Sequence, residues 1–195
     1  PHLSEMLSDG VHHGTNRYEI GEEDLESEFA NQFDVSLDYN TEHINFNLNP
    51  FYNHFQNYIY VAPTADFIDG YQVYVYSQAS SAKTYGGEIY LHYHPHFAHR
   101  LHLEQDFSYV IGEDNNNNPL PLIPQTRINT NLKYEFAETD KKFQLKTVLL
   151  QRTQFLDKDD VATFETTSDN YEIYNIEGNF SYAGKQTMLM KLGVR

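Results

Sequence analysis

The chain has 195 residues, no Cys, no Trp and a formal net charge of −15, and Tyr (16) and Phe (13) supply all of its aromatic content. Without Cys there are no disulfides, thiolate metal sites or cysteine nucleophiles. The acidity argues against nucleic acid as a partner, because phosphates call for a basic surface. No run of about 18 apolar residues exists, which excludes a transmembrane helix but not a transmembrane β-strand, which needs only about 10 alternating residues.

Residues 1–26 show no clean period and read as a long polar loop, with a short helical turn over Ser4–Leu7 and an acidic end at Glu22–Glu28. Alternation then begins. Phe33, Val35, Leu37 and Tyr39 face one way, and Gln32, Asp34, Ser36 and Asp38 the other. After a turn at Asn40–Glu42, Ile44, Phe46 and Leu48 oppose His43, Asn45, Asn47 and Asn49. The pattern runs on through FYNHFQNYIYV, with Pro50 marking a bulge or an edge irregularity. Residues 62–70 read as a loop and 71–76 as a strand. The small residues up to Gly86–Gly87 predict a kink or bulge.

Three further runs occupy Gly86–Phe136. Ile89, Leu91 and Tyr93 oppose Glu88, Tyr90, His92 and His94. Leu101, Leu103, Phe107 and Tyr109 oppose His102, Glu104, Asp106 and Ser108. Ile128, Thr130, Leu132, Tyr134 and Phe136 oppose Asn129, Asn131, Lys133 and Glu135. Beyond a turn at 137–142, Phe143, Leu145, Thr147 and Leu149 are expected on one face. Then Tyr174, Ile176, Phe180 and Tyr182 oppose Asn175, Glu177, Asn179 and Ser181, and Met188, Met190 and Leu192 form a last run. Side chains alternate across a strand, so each run makes one apolar and one polar face.

The connections alternate as well. Short ones fall at 39–43, 95–100, 138–142 and 183–186, and long ones at 1–26, 62–84, 112–127 and 156–170. Short turns at one end and long loops at the other predict an all-β, antiparallel up-and-down transmembrane β-barrel segment of about eight strands. Tyr58, Tyr60, Tyr90, Tyr93, Tyr109, Tyr134 and Tyr182, near strand ends, are candidates for interfacial girdles. A soluble β-sandwich or barrel also alternates, and a complete eight-stranded outer-membrane barrel with a structural or adhesive role fits the strand count. The abrupt ends, Pro1 and Arg195, suggest a piece of a longer protein.

The residues carry a family likeness. PHLSEMLSDGVHHGTNRYEIGEEDLESEFANQFDVSL resembles the stretch of TonB-dependent outer-membrane receptors in which a Pro-x-x-x-Glu loop leads to a Tyr-Glu-Ile-Gly segment and a Leu-x-x-Glu (Leu25–Glu28) opens the next barrel strand. FYNHFQNYIYV, YGGEIYLHYHP and FSYVIGEDNNNNPLPLIPQTRINTNLKYEF look like the strands and loops that follow. The resemblance spans nearly the whole of residues 1–195. It implies a partial receptor β-barrel domain, part of a larger, 22-stranded barrel, with the plug domain, the energy-coupling segment and the final aromatic-ended strand absent from this sequence. It implies uptake rather than catalysis: a siderophore, metal complex or cofactor binds outside, and the TonB complex acts through the plug region. Outer-membrane lipid is the implied surrounding, in a Gram-negative bacterium, and no cofactor or catalytic residue is expected.

Candidate ligand contacts lie in the long loops. His12 and His13, beside Asp9 and Glu19, are candidate metal ligands, because neutral imidazole binds metals readily. SDGVHHGT also looks like loops of receptors in this family suspected of zinc uptake. Adjacent histidines do not easily point at one ion, so a plain polar loop is the alternative. Asn116 and Asn117, in the Asn115–Asn118 run before Pro119 and Pro121, are candidate ligand contacts of an extracellular loop. His92 and His94 share a face about 7 Å apart. With His96, His99 and His102 they form a second histidine group, placed by the loop pattern at the short-turn, periplasmic end, where ring-rich turns are ordinary. Glu104 with Asp106, and Asp34 with Asp38, read as lumen-lining carboxylates.

Overall fold

A computed structural model describes residues 1–137, 143–163, 165–182 and 186–194, and folds them into one eleven-stranded sheet. A short helix α1 (Leu3–Leu7) precedes β1 (Asp9–His12) and β2 (Arg17–Ile20). The wall follows as β3 (Phe29–Asp34), β4 (Leu37–Asn40), β5 (Ile44–Ile68), β6 (Tyr71–Tyr93), β7 (Leu101–Asp114), β8 (Arg127–Glu135), β9 (Phe143–Phe155), β10 (Tyr171–Tyr182) and β11 (Gln186–Val194). From β5 to β11 each strand pairs antiparallel with the next, which is up-and-down topology. Among the described residues no pairing joins β11 to β3 or β4, so the sheet is open, not a closed eight-stranded barrel.

Cross-strand partners share a face, so the register extends the alternation across the wall. Leu48, Ile89, Phe107, Ile128 and Gln154 lie in one row, and Phe46, Leu91, Gln105, Thr130, Arg152 and Tyr174 in the next. Between the apolar rows run polar ones: Asn45, His92, Glu104, Asn131, Gln151 and Asn175 form one. On β5 the outward face is apolar from Ile44 to Tyr52 and turns polar at His54 and Gln56, whose partners are Lys83 and Ser81. The apolar band is therefore about 26 Å long along the strand, close to what a barrel strand needs to cross a bilayer. Among the buried side chains of the described residues are Leu25 and Val73, where the N-terminal segment meets the wall, and Leu120, in the loop after β7.

Several local expectations give way to the register. Residues 62–70 are not a loop. β5 and β6 run 25 and 23 residues and meet in a two-residue turn, Asp69–Gly70, whose φ values of 52° and 85° suit a type I′ hairpin. The only register shift in the pair lies between Pro63 and Phe67. Gly86 and Gly87 mark no bulge either: β6 keeps register with both neighbours there. The glycines instead allow close approach, since a Cβ on Gly87 would meet the Asn49 carbonyl oxygen at 3.2 Å.

Pro50 sits in regular register opposite Gly87, and the irregularity it causes appears on the other neighbour. Asp34 pairs Phe51 and Leu37 pairs Leu48, so β3 and β4 are one line of chain interrupted opposite Pro50. Val35 N–H donates to the Pro50 carbonyl at 3.1 Å. The return bond is missing because proline has no N–H.

A register shift between Asn179 and Phe180 leaves Lys146 as an extra residue. Leu145 therefore pairs with Phe180 while Thr147 pairs with Asn179, so Phe143 and Leu145 do not share a face with Thr147 and Leu149 as the alternation alone implied. Of the girdle candidates, Tyr93, Tyr109 and Tyr134 lie on the apolar face, 37–42% exposed. Tyr90 pairs with Asn47 and Asp106 on the polar face, and Tyr58 and Tyr60 lie beyond the apolar band; the Tyr182 side chain is outside the described residues.

The N-terminal 26 residues are folded rather than a loop. The β1–β2 hairpin docks against the outer half of β6, with Tyr18, Glu19 and Ile20 running parallel to Val73, Tyr74 and Val75. Below that point β7 takes over as the neighbour of β6, from Ala82 onward. Residues 21–28 then cross the β5–β6 hairpin to reach β3. Gln78 clasps that crossing: Glu26 N–H donates to its Oε1 (3.0 Å), and its Nε2 donates to the carbonyls of Glu26 and Asn57 (both 2.8 Å). Glu28 accepts from Ile59 N–H at 2.9 Å, capping a backbone group on β5 just above the start of β3.

Candidate ligand-binding face

The polar face is built by the second residue of every alternating pair. Asn47, Asn49, Glu88, Tyr90, Asp106, Ser108, Arg127 and Asn129 line a hollow of about 200 Å³ on it. Its polar groups are tied laterally: Asn131 Nδ2 donates to Glu104 at 3.3 Å and Asn175 Nδ2 to Gln151 at 3.0 Å. Toward the long-loop end the hollow gives way to a cavity of about 870 Å³, bounded by Phe51, Gln72, Tyr74, Glu88, Ser108 and Arg127 on the wall and by Lys158, Val161, Glu165 and Tyr171 of the 156–171 segment. Aromatic and charged groups of both signs converge there, as expected where a small ligand is held by a few polar groups among apolar walls. Lys158 Nζ donates to the Ile123 carbonyl, and Glu165 Oε1 accepts from Leu122 N–H at 2.6 Å, so the loops after β7 and β9 are joined over the cavity.

Asn116 and Asn117 lie in a tight turn at the end of β7. Asp114 organises it, accepting from Asn116 N–H (2.7 Å), Asn118 N–H (2.9 Å) and Asn118 Nδ2 (2.9 Å). Burial alone would raise its pKa, but the bonds from Asn118 and Asn116 outweigh it and hold the carboxyl below its usual range. Asn117 takes a left-handed φ of 60°, and its side chain accepts from Lys83 Nζ at 3.4 Å. The chain then folds back, with Leu120 N–H donating to the Gly112 carbonyl at 2.9 Å and its side chain 2% exposed.

His12 and His13 stand at the β1–β2 turn. His12 Nδ1 is 2.9 Å from Thr15 Oγ1, and both rings are exposed. Because Tyr18 lies opposite Val73, this turn sits near the tip of the β5–β6 hairpin. Lys83, which Asn117 contacts, is ten residues further along β6. That is about 33 Å of strand. Both candidate groups are at the long-loop end, but the fold does not bring them into one site.

The fold does bring histidines together at the opposite end. His92, His94 and His102 each offer a ring nitrogen, and these atoms lie within 4.8 Å of one another. His43, His96 and His99 continue the group, with the His43 ring 5.0 Å from His94, 5.2 Å from His96 and 6.0 Å from His99. The shared face of His92 and His94 is legible from alternation. The contribution of His43 is not, since it lies just before β5, some fifty residues earlier; the signal for it is the Ile44–Tyr93 pairing, known only from the register.

A two-faced wall of antiparallel strands, with loops joined over a cavity at one end, now stands beside known proteins. A family model described as "TonB dependent receptor-like, beta-barrel" matches residues 1–195. The chain belongs to that family. Solved structures agree on the fold: the copper transporter OprC (TM-score 0.76, 16% identity) is similar over 99% of this chain, as are the siderophore receptor PirA from Pseudomonas aeruginosa (0.64, 15%) and the ferric enterobactin receptor PfeA from Pseudomonas aeruginosa (0.65, 14%). The chain spans only 28% of OprC, 33% of PirA and 30% of PfeA, so it corresponds to under a third of a receptor of the family, or about that. The members of this family are transport receptors and not enzymes.

Proposed function

We propose that residues 1–195 form a section of the barrel domain of an outer-membrane receptor that takes up a scarce ligand, a siderophore, metal complex or cofactor, in a Gram-negative bacterium. The apolar face meets lipid and the polar face lines the lumen. The long-loop end faces outward, and the short turns face the periplasm. A plug domain and the rest of the barrel, supplied by chain outside these residues, complete the receptor, and the TonB complex drives it through the plug. The observation that carries this reading is the cavity of about 870 Å³, which opens on the polar face directly beneath the joined loops after β7 and β9.

In this reading Asn116 and Asn117 border the ligand's entry route, and His12 and His13, farther out on the hairpin, are first contacts for a metal-bearing ligand. The acidity of the chain favours cationic or metal-bearing cargo over anions. The test is uptake by cells whose full-length receptor is the sole route under iron, copper or zinc limitation. Loss of growth when the receptor is deleted, and again when the proton gradient is collapsed or the TonB complex removed, supports it. Growth and ligand accumulation unchanged by receptor deletion under all three limitations sink it. Replacing His12 and His13 by Ala tests the metal contact: unchanged affinity of the intact receptor removes it.

A further inference from the structure

We propose that His92, His94 and His102 form a binding site for a borderline divalent transition-metal ion, such as Zn²⁺ or Cu²⁺, on the polar face at the short-turn end of the wall. The site follows from local rules. His92 and His94 alternate onto one face of β6. The connection through the 3₁₀ turn His96–Ala98 is short enough to set Tyr93 opposite Leu103. One step beyond that pair lies His94 opposite His102, so three imidazoles meet across two strands.

The distances suit a metal. His92 Nε2 and His102 Nδ1 are 3.1 Å apart. Two nitrogens each about 2.05 Å from a tetrahedral Zn²⁺ are about 3.4 Å apart. All three ligand atoms lie within 4.8 Å, so small ring rotations converge them. A donor set of imidazole nitrogens without thiolate selects Zn²⁺, Cu²⁺ or Ni²⁺ over Ca²⁺ or Mg²⁺, which take oxygen.

The surroundings place partners beside the ring nitrogens that face away from the ion. Asn45 meets the other nitrogen of His92 at 3.4 Å. With the amide turned oxygen-first it accepts from Nδ1–H and leaves the Nε2 lone pair for the ion. Glu135 Oε1, held by Lys133 Nζ at 2.6 Å, lies 3.9 Å from His102 Nε2, the nitrogen away from His92, and a small closure would complete a carboxylate–histidine–metal arrangement. Among the described residues His94 Nδ1 and His43 Nδ1 are buried without a hydrogen-bond partner. A buried polar atom left bare is costly, and coordination at His94 Nδ1 removes one such atom. His43, with its ring 5.0 Å from His94, stands behind the site as a reserve ligand.

Metal binding here does not depend on the uptake reading, since a barrel that imported nothing would still hold the ion. The test uses the full-length receptor, stripped of metal in detergent and titrated with Zn²⁺ by calorimetry and Cu²⁺ by electron paramagnetic resonance. The intact receptor is expected to bind one equivalent that His92→Ala and His102→Gln each remove and that His12→Ala with His13→Ala leaves in place. Cu²⁺ in this equivalent should show several coupled nitrogens. Glu135→Gln should weaken it about tenfold, as loss of a group behind a ligand does. For the unaltered receptor, Zn²⁺ should protect His92, His94 and His102 from diethyl pyrocarbonate, a readout that needs no variant to fold. Zn²⁺ and Cu²⁺ stoichiometries equal in the intact receptor and both histidine variants, or no protection of these three rings, overturn the proposal.

Discussion

A Cβ placed on Gly86 would lie 2.0 Å from the carbonyl oxygen of Tyr109, on the adjacent strand. No side chain fits at that separation, so β6 and β7 close to each other only because position 86 carries none. Gly86→Ala must push the strands apart or twist one of them. A destabilisation of about 1–3 kcal/mol, the usual cost of overpacking, is expected in the urea midpoint of the receptor refolded into lipid vesicles. Gly10→Ala serves as the control, since nothing lies within 4 Å of a Cβ there. Equal midpoints for the two variants would contradict this account of Gly86.

Pro50 interrupts its neighbour rather than its own strand. Pro50→Ala supplies the missing N–H opposite the Val35 carbonyl, and β3 and β4 are expected to fuse into one continuous strand. Hydrogen exchange should slow at residues 35–37, and the new amide of position 50 should be protected, with no loss of barrel stability. Exchange at 35–37 as fast as in the unaltered protein would mean that something other than the proline separates the two strands.

The β1–β2 hairpin is fastened by a buried charge. Glu19 is 7% exposed, holds Arg17 Nε at 2.7 Å and accepts from Tyr76 OH at 3.3 Å, while the Arg17 guanidinium lies 4.7 Å over the Tyr74 ring. Arg17→Met strands the carboxylate without its cation. Breaking a buried pair from one side costs about 3–5 kcal/mol, and the low end applies because both groups keep some contact with water. The expected readout is local: residues 1–20 become sensitive to protease while the wall keeps its resistance to heating in detergent. Arg17→Met with Glu19→Gln should restore most of the protection.

The turn after β7 should respond to acid. The Asp114 carboxyl is held below its usual range by the amides of Asn116 and Asn118, so the ionised form is favoured in the folded turn. The stabilisation is therefore complete above the ordinary carboxylate pKa and is lost as the pH falls through the lowered folded value. Protease cleavage at 114–119 is expected to rise only at acid pH, and Asp114→Ala should show the acid rate at neutral pH. A cleavage rate in the unaltered protein that stays flat from neutral to strongly acid pH would remove Asp114 from this role.

Alternation made the wall legible in the sequence, because a strand with one apolar and one polar face must repeat every second residue. The strand ends were less legible. Asp69–Gly70 is a strong hairpin signal, yet Pro63, Ala65 and Asp66 around it resemble a loop; pairing with β6 is interrupted over residues 64–66 and resumes at Phe67 with Gln72. The β1–β2 hairpin was hidden for another reason: its four-residue strands are too short to show a period, and they exist because β6 offers an unpaired edge beyond β7. The extra residue at Lys146 flips the faces of β9 without any change in composition. Of the candidate contacts, the turn of Asn116 and Asn117 was plain from its composition, whereas Asp114, the group that shapes it, looked like any acidic strand end. The meeting of His102 with His92 and His94 depends on turn length and register, which periodicity does not fix.

The β5–β6 hairpin continues for residues 53–68 beyond the apolar band, which is about 50 Å along the strand and about 40 Å of height at the tilt of a membrane barrel. With the orientation proposed above, this arm stands outside the membrane, braced by β1–β2 and by the crossing of residues 21–28, and is tipped by Asp66, Phe67, Ile68 and Asp69, with Phe67 66% exposed.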